Sequence, residues 1–176
     1  LDSGRSNFLA AVCRGRGEHY GIACLDLSTA EFRLTEIDGL DELVHELTRL
    51  SPAECLVPDD LHAAWQEDGL PEALQPLLWT PLDGWIFAPD VAAERLQTHF
   101  DVATMDGFGC RGYSVGLQAA GGILHYACNN LRRDADHITN LQPYTTRNYM
   151  LLDRATQRNL ELVEPLFQDS RDATLL

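Results

Sequence analysis

The sequence predicts an α/β fold with a mixed five-stranded sheet flanked by helices. Two observations lead to this prediction. The amino-terminal part carries apolar and polar residues with the period of β-strands, and the part that follows alternates short apolar runs with helical patterns. An antiparallel three-stranded meander should therefore come first, and helices should cover the sheet afterwards. A short helical segment is expected to follow at residues 149–176.

The meander is predicted from three segments near the amino end. Residues 6–13 and 19–28 are rich in apolar residues and predict two strands. The sequence Arg14-Gly-Arg-Gly17 between them predicts a hairpin turn, because glycine accepts tight-turn backbone angles at little cost. Residues 31–37 alternate apolar and charged side chains, which predicts a third, half-exposed strand.

Helices and further strands are predicted from the spacing of apolar residues after the meander. A helix should end at Ser51-Pro52, because the residue before proline is disfavoured in helical geometry. Short apolar runs at residues 55–57 and 77–79 predict the fourth and fifth strands, with a helical segment between them. The apolar positions of the first helix recur at helical intervals: Leu40, Leu43, Val44, Leu47 and Leu50.

Two more helices are predicted before the chain becomes polar. Asp90 should be the N-cap of one, and the other should span residues 115–131. Gly121-Gly122 inside the second helix should each cost ~1 kcal/mol relative to Ala. Close packing of that backbone on the sheet is the favoured explanation. Residues 132–148 are polar and contain a proline, which predicts a connection out of the first domain.

The chain is acidic, with a formal net charge of −14 that is unevenly distributed. Residues 1–130 contain 7 Arg and 20 Asp or Glu, a charge of −13, whereas residues 131–176 contain 6 Arg and 7 acids, a charge of −1. Direct DNA binding by the first part is not expected, because nonspecific DNA affinity comes from cationic neutralisation of phosphates. The acids either solubilise the surface or favour a basic protein partner, and the sequence leaves both interpretations open.

The cationic and sulfur-containing residues exclude several kinds of site. All 13 cationic residues are Arg, so this chain offers neither a phosphate-loop lysine nor a Schiff-base lysine. The 5 cysteines show no Cys-x-x-Cys spacing, which predicts buried thiols in a reducing cytosol rather than zinc ligands. No apolar run approaches the ~20 residues that span a bilayer.

Several motifs resemble segments of one protein family. In residues 149–162 an apolar run meets an Asp helix cap and a mixed polar and apolar helix, which resembles the start of the core domain in the MutS mismatch-repair ATPases. Asp106-Gly-Phe-Gly109, followed by the Ala/Gly-rich residues 117–126, resembles the segment that closes the connector domain of that family. Three earlier segments resemble successive connector elements, so the resemblance covers nearly the whole chain: residues 8–12, 21–32 and 92–100.

The resemblance implies a domain order and a function. Residues 1–132 would form the connector domain, 133–148 a linker and 149–176 the start of the helical core domain, in a fragment of a longer cytoplasmic protein. The implied function is a non-catalytic module that relays conformational change between mismatch-binding and ATPase parts. Other MutS domains and MutL are the implied partners, while mismatched DNA, ATP and Mg are expected to bind the parent protein. Asp59 and Asp60 are the trial partner-facing acids.

The resemblance also marks residues with structural roles in the family motifs, none of them expected to be catalytic or to bind a metal or cofactor. They are Asp26, Phe108, Gly109, Gly121, Gly122, Asp153, Thr156, Arg158, Asn159 and Glu161. Two positions depart from the family pattern. Ala30 stands where the family usually has Gly in a Ser-Thr-Gly turn, which affects turn geometry. Gln157 stands where the family often has Arg, which affects surface charge.

The predicted order of elements, with Asp26 in a strand, is that of a ribonuclease H-like fold, which the MutS connector domain also resembles. Active nucleases of that class gather carboxylates around two metal ions. The candidates here are Asp26, Glu31, Asp59 and Asp101, but the first strand carries no acid, so a working metal centre is not expected. A local side-chain hydrogen bond in the turn after Asp26 is the competing interpretation of that residue.

Two alternatives to the connector hypothesis remain. One is a stand-alone ribonuclease H-like nuclease, which titration with a divalent metal would test. The other is an actin-like nucleotide-binding fragment, because residues 26–29 resemble the phosphate-binding strand of that class, although the glycines that admit a phosphate are replaced by Ala30-Glu31. Nucleotide binding would test it.

Phe108 lies between two glycines and needs a separate interpretation. MutS proteins read mismatches with an inserted Phe of a Phe-x-Glu motif, whereas Phe108 is followed by Gly109-Cys110. An intercalating wedge also needs cationic surroundings. We therefore predict that Phe108 is a packing residue at a strand-to-helix corner.

Overall fold

A computed structural model describes residues 7–132 and 134–146. The chain begins with the predicted meander, in which β1 (Phe8–Arg14), β2 (His19–Asp26) and β3 (Phe32–Asp38) are antiparallel. The five central residues of β1 and six of β2 are buried, because both strands lie inside the sheet and are covered on both faces. Continuous apolar strands of this kind are typical of a sheet between two helical layers.

Helices alternate with parallel strands after the meander, as the sequence predicts. The sheet contains six strands in the order β5-β4-β1-β2-β3-β6, and β1, β4 and β5 are parallel to one another. The remaining elements are α1 (Leu40–Leu50), β4 (Glu54–Pro58), α2 (Asp59–Asp68), β5 (Trp79–Leu82), α3 (Pro89–Phe100), α4 (Ser114–Asn129) and β6 (Gln142–Pro143).

The two faces of the sheet contact different helices. Alternate residues of β1, such as Ala10 and Val12, join a core with Leu43 and Leu47 of α1 and Trp65 of α2. Their neighbours join a second core with α4, and α3 packs on α4. This alternation follows from the two-residue period of a strand.

The prediction of five strands is wrong by one. The additional strand, β6, has only two residues and pairs in parallel with β3, Gln142 beside Arg33 and Pro143 beside Leu34. A two-residue strand that contains proline is too short to show the apolar and polar alternation that predicts a strand. It forms because the exposed edge of β3 is available for pairing. The fifth strand also begins later than predicted, at Trp79, and Leu78 before it is 60% exposed.

The first compact unit extends beyond the predicted end at residue 132. It runs to Tyr144, and three apolar residues of the polar segment are buried against the core, namely Ala135, Ile138 and Leu141. These three residues are isolated among polar ones, so the sequence shows no periodic pattern that would predict a helix or strand here. Their burial depends on how this segment packs against the core. The second unit begins at Thr145, and only its first two residues are among those described.

Two local predictions around α3 are wrong. The helix begins at Pro89 with Ala88 as its N-cap, so Asp90 lies in the first turn instead of capping it. Proline favours the first helical position because its fixed φ suits the helix and its missing N–H is not needed there. Phe108 ends a 3₁₀ turn (Met105–Phe108) between α3 and α4, so its corner joins two helices rather than a strand and a helix.

Phe108 is nevertheless a packing residue. It is partly buried against the core, and its ring lies 4.9 Å from that of Phe100. Gly109 follows it with φ of 81°, a left-handed conformation that glycine adopts without steric cost.

Gly121 and Gly122 contact a helix and an aromatic ring instead of the sheet. A Cβ added at Gly121 would lie 2.5 Å from the Cβ of Ala92 in α3, and one added at Gly122 would lie 2.2 Å from the Phe87 ring. Close approach is therefore confirmed, but the predicted partner is wrong. The sheet approaches α4 earlier, where a Cβ on Gly21 would lie 2.3 Å from the Val115 carbonyl carbon.

Ala30 adopts the left-handed conformation that the family's glycine would suit. Its φ is 64°, and its N–H donates to the Asp26 carbonyl at 2.8 Å in the turn between β2 and β3. We expect Ala30→Gly to raise the free energy of unfolding by about 0.5–1 kcal/mol, because the strain of ~1–2 kcal/mol exceeds the entropy that glycine adds to the unfolded chain. Urea unfolding measures the difference.

Ala63→Gly provides the matched control for this substitution. Ala63 is exposed in the middle of α2, where glycine should lower the free energy of unfolding by about 1 kcal/mol. If Ala30→Gly lowers the free energy of unfolding as Ala63→Gly does, Ala30 is not strained in its left-handed conformation.

Candidate functional site

Asp26 shapes the turn that follows β2. Its Oδ1 accepts hydrogen bonds from the Ser28 hydroxyl at 2.6 Å, the Ser28 N–H at 2.8 Å and the Thr29 N–H at 3.3 Å. These bonds stabilise the carboxylate and lower the pKa of Asp26, the Ser28 hydroxyl contributing most. The local turn interpretation of Asp26 is confirmed.

The carboxylates considered for a metal centre do not gather at one site, although Asp26 and Glu31 are neighbours in the turn between β2 and β3. Asp26 is paired with Phe8 at the beginning of β1, whereas Asp59 follows β4, which is parallel to β1, and so lies toward the opposite end of the strands. Asp101 ends α3. Within residues 7–132 and 134–146, no three His, Cys, Asp or Glu side chains form a group that could hold a metal ion.

A polar crevice of about 380 Å³ lies where β1 and β4 end. Its lining includes Cys13, Arg14, Asp60 and Gln118. Burial raises the pKa of the Cys13 thiol far above its usual range, so this sulfur stays protonated and is a poor nucleophile. One arginine and one aspartate at this edge do not form the cluster of acids that two-metal chemistry uses.

The cysteines follow the predicted burial with one exception. Cys13, Cys24, Cys55 and Cys110 are buried, and burial raises the pKa of Cys24 and Cys110 to about 11. Cys128 is exposed near the end of α4, which contradicts the prediction for that residue. Composition alone could not assign it to the outer side of its helix.

Acidic side chains are concentrated on α1, β4, α2 and the turn after α2. Residues 39–76 contain nine acids and one arginine, a formal charge of −8, whereas residues 77–132 contain five acids and three arginines, a charge of −2. Asp59 and Asp60 are exposed in the first turn of α2. We call the exposed acids of this layer the acidic face: Asp41, Glu42, Asp59, Asp60, Glu67, Asp68 and Glu72.

Glu46 is a buried acid that the sequence analysis did not single out. Its side chain is 1% exposed on α1, and it accepts hydrogen bonds from Arg49 and, at 2.7 Å, from the Tyr144 hydroxyl. Thr35 of β3 donates to the Tyr144 carbonyl at 2.6 Å. The end of the first unit is therefore joined to both α1 and the sheet. The sequence signal that could have predicted this burial is a glutamate on the apolar side of a helix.

Glu54 joins β4 to two other elements. Its Oε2 accepts hydrogen bonds from the Thr80 hydroxyl of β5 at 2.5 Å and the Tyr126 hydroxyl of α4 at 2.7 Å. Burial and this carboxylate raise the pKa of Tyr126 to about 12, so the phenol remains a donor at neutral pH. The bonds connect the sheet edge to the helix behind it.

His19 links the meander to the beginning of α4. Its Nδ1 lies 2.7 Å from Asp38 Oδ1 and its Nε2 lies 2.8 Å from Glu36 Oε1. The second oxygen of Glu36 accepts the Gly116 N–H at 2.8 Å, in the first turn of α4. The hydrogen bonds that His19 donates to Asp38 and Glu36 raise its pKa, because both carboxylates favour the imidazolium.

The raised pKa of His19 predicts a pH dependence of stability. A histidine whose folded pKa exceeds its unfolded value of 6.5 stabilises fully below 6.5, and this contribution is lost as the pH rises through the folded pKa. We expect less than about 1 kcal/mol, because the side chain is 34% exposed and solvent screens the ion pairs. Urea unfolding from roughly pH 6 to roughly pH 9 should show wild type losing stability relative to His19→Gln.

His45→Gln is the control, because His45 is an exposed histidine on α1. It should follow the wild-type pH profile. A His19→Gln profile parallel to wild type across the whole range would contradict the imidazolium bridge.

The other predicted motif residues divide into two groups. Asp26, Phe108, Gly109, Gly121 and Gly122 stabilise turns or helix packing in separate parts of the first unit and do not converge on one site. The remaining five lie outside the described residues: Asp153, Thr156, Arg158, Asn159 and Glu161.

Comparison with known proteins decides the family. A family model described as MutS domain II matches residues 7–141, which is most of the chain and nearly all of the described fold. The chain belongs to the MutS family. The match to domain II covers the first five strands and ends just before β6, and it includes the helices that carry the acidic face.

Proteins named DNA mismatch repair protein MutS are similar along the whole chain. The one from Syntrophobacter fumaroxidans is 41% identical over 177 residues and the one from Desulfosudis oleivorans is 34% identical over 176. The one from Lachnoclostridium phytofermentans is 32% identical over 177. Each alignment covers 100% of this chain but only 19–20% of the relative, so the chain spans about one fifth of their length.

The helices of the described part of the chain are not of the kind that spans a membrane. None of the helices within residues 7–132 and 134–146 combines the length and the apolar character that a bilayer crossing requires.

Proposed function

We propose that this chain is a non-catalytic connector module of a MutS mismatch-repair ATPase, which relays conformational change and offers its acidic face to MutL. The observation that carries the proposal is the MutS domain II match over a folded unit whose acids are concentrated on one layer. The parent protein would bind mismatched DNA, ATP and Mg in the cytoplasm, whereas this module would bind other MutS domains and MutL.

The relay is supported by the way the first unit ends. Tyr144 donates its N–H to the Leu34 carbonyl at 2.9 Å and its hydroxyl to Glu46 at 2.7 Å. A displacement of the chain at this point would therefore act on β3 and α1 together. Interiors are densely packed and resist deformation, which favours movement of the module as one body.

The docking role is supported by the sign and position of the charge. The acids of the acidic face are exposed, and the one arginine within residues 39–76, Arg49, is bonded to buried Glu46. A negative surface favours a partner that presents Arg or Lys and accelerates their encounter. Screening over ~8 Å at physiological ionic strength makes such an association sensitive to salt.

Titration of the chain against the amino-terminal domain of MutL tests this role. We expect the affinity to fall roughly tenfold between low and high salt, and a similar loss for the double variant Asp59→Arg with Asp60→Arg. The double variant Asp90→Arg with Glu94→Arg makes the same charge change on α3, on the other side of the sheet, and should retain most of the affinity.

Two results would contradict the docking role. One is the absence of MutL binding, and the other is binding that neither salt nor the α2 variant changes. In either case the acidic face would be a solubilising surface, and the module would remain an internal mechanical link.

The ribonuclease H-like fold is proposed on the strand order. An antiparallel β1-β2-β3 meander extended beside β1 by parallel β4 and β5 supports that arrangement. A nuclease of this fold remains the alternative function. Cleavage of an RNA·DNA hybrid in Mn²⁺ that Asp26→Asn abolishes would favour it over the connector.

A further inference from the structure

Residues 134–144 connect the two helical layers at the edge of the sheet, and we call this segment the strap. Its three buried apolar residues pack in the core on the α3 and α4 side. It then pairs with β3 through the two residues of β6. It ends at Tyr144, whose hydroxyl contacts Glu46 of α1 on the other side of the sheet. The strap therefore joins the end of the first unit to both layers.

The strap is held less firmly than the strands beside it. Its ladder with β3 is two residues long and includes Pro143, which has no N–H to donate. Six of its 11 residues are exposed. By contrast, β2 is paired along nearly its whole length with β1 on one side and β3 on the other. Segments with few buried contacts and short ladders open at a lower free energy than the core of a protein.

The hydrogen bond from Tyr144 to Glu46 holds the far end of the strap, and we call this bond the latch. The hydroxyl donates to Glu46 Oε2 at 2.7 Å, and the carboxylate is 1% exposed. The guanidinium of Arg49 donates to both oxygens of the same carboxylate. When Tyr144 leaves, the buried charge therefore keeps its two-point partner. Release of the latch avoids the large penalty of a buried charge without a partner.

Two backbone groups of Tyr144 bind β3 next to the latch. Its N–H donates to the Leu34 carbonyl at 2.9 Å, and its carbonyl accepts from the Thr35 hydroxyl at 2.6 Å. Both partners belong to the strand that borders the strap at the edge of the sheet. Water can therefore replace Tyr144 at both groups once the strap has left. The main cost of opening is the exposure of the three buried apolar residues, which makes the open form a minor state.

We propose that the strap opens as a unit while the other five strands and helices α1–α4 stay folded, and that the latch sets how often it opens. Closed, the strap fixes the end of the first unit to β3 and α1. Open, its 11 residues become a tether that extends up to roughly 35–40 Å. The strap would then switch the relay between a stiff connection and a loose one. That use rests on the proposed function, whereas the opening itself does not.

Amide hydrogen exchange of the 176-residue chain, measured by NMR at increasing urea below the unfolding transition, tests the proposal. The N–H groups of Ile138 and Tyr144 report on the strap, and those of Ile22 and Ala23 in β2 report on the sheet. Relative to an unfolded chain, the strap amides should exchange about tenfold faster or more than the sheet amides. Their exchange should also depend less on urea, because opening exposes less surface than unfolding. No MutL is present, so this test succeeds or fails separately from the docking role.

Two tyrosine-to-phenylalanine variants separate opening of the strap from global unfolding. Tyr144→Phe removes the latch, which both the open and the unfolded forms lack, so exchange of strap and sheet amides should each become about tenfold faster. Tyr126→Phe removes a hydrogen bond of the same length, 2.7 Å, from α4 to Glu54. The open form keeps that bond, so Tyr126→Phe should accelerate the sheet amides alone.

Three results would overturn the proposal. Strap and sheet amides with one common protection and urea dependence would show that the strap opens only when the whole unit unfolds. Acceleration of the strap amides by Tyr126→Phe as large as that by Tyr144→Phe would show the same. Strap amides that Tyr144→Phe leaves unchanged would show that its bond to Glu46 is not the latch.

Discussion

Gly21→Ala is expected to destabilise the protein by about 3 kcal/mol, at the upper end of the effects of overpacking. The added Cβ would lie 2.3 Å from the carbonyl carbon of Val115, 2.4 Å from its oxygen and 2.5 Å from the nitrogen of Gly116. All three are backbone atoms in the first turn of α4, so no side-chain rotation can make room. The helix would have to move away from β2.

Urea unfolding of Gly21→Ala beside Gly107→Ala measures this effect. No atom lies within 4 Å of a Cβ added at Gly107, so the free energy of unfolding of Gly107→Ala should differ from wild type by less than about 1 kcal/mol. Alanine lowers the entropy of the unfolded chain, which by itself would stabilise this variant. Equal stability of the two variants would show that α4 does not approach β2 this closely.

Ending the chain after residue 132 is expected to destabilise the first unit by about 4 kcal/mol or more. The truncation removes Ile138 and Leu141, which are 4% and 0% exposed, and burial of each such side chain contributes about 1.5–3 kcal/mol. It also removes β6 and the bonds of Tyr144 to β3 and α1. A chain that ends after residue 146 keeps all of these contacts.

Urea unfolding and limited proteolysis of the two shortened chains measure the difference. The longer chain should resist the protease, and the shorter one should be cleaved faster because its unfolded population is larger. Leu141→Ala in the 176-residue chain should reproduce about 2–5 kcal/mol of the loss. Leu131→Ala, at a 36% exposed side chain, should cost less than about 1 kcal/mol. Equal stability of the two shortened chains would place the end of the folded unit at residue 132.

Much of the fold was predictable because its signals are local. The meander follows from continuous and alternating apolar runs, and α1 from Leu43, Leu47 and Leu50 at helical spacing before Ser51-Pro52. The acidic surface follows from composition, and the turn at Asp26 from a residue that bonds its own neighbours. The MutS resemblance rested on motifs of this kind, and the domain II match confirms it.

Charge, element order and family were thus determined by the sequence, whereas the pairing of distant segments was decided only by the tertiary structure. Glu46 is buried because Tyr144, 98 residues later, lies against it. Gly122 is required by the ring of Phe87, and the short β6 forms because β3 has a free edge. Side-chain periodicity indicates which face of an element is covered, but the identity of the covering atoms depends on contacts between segments that no local pattern encodes.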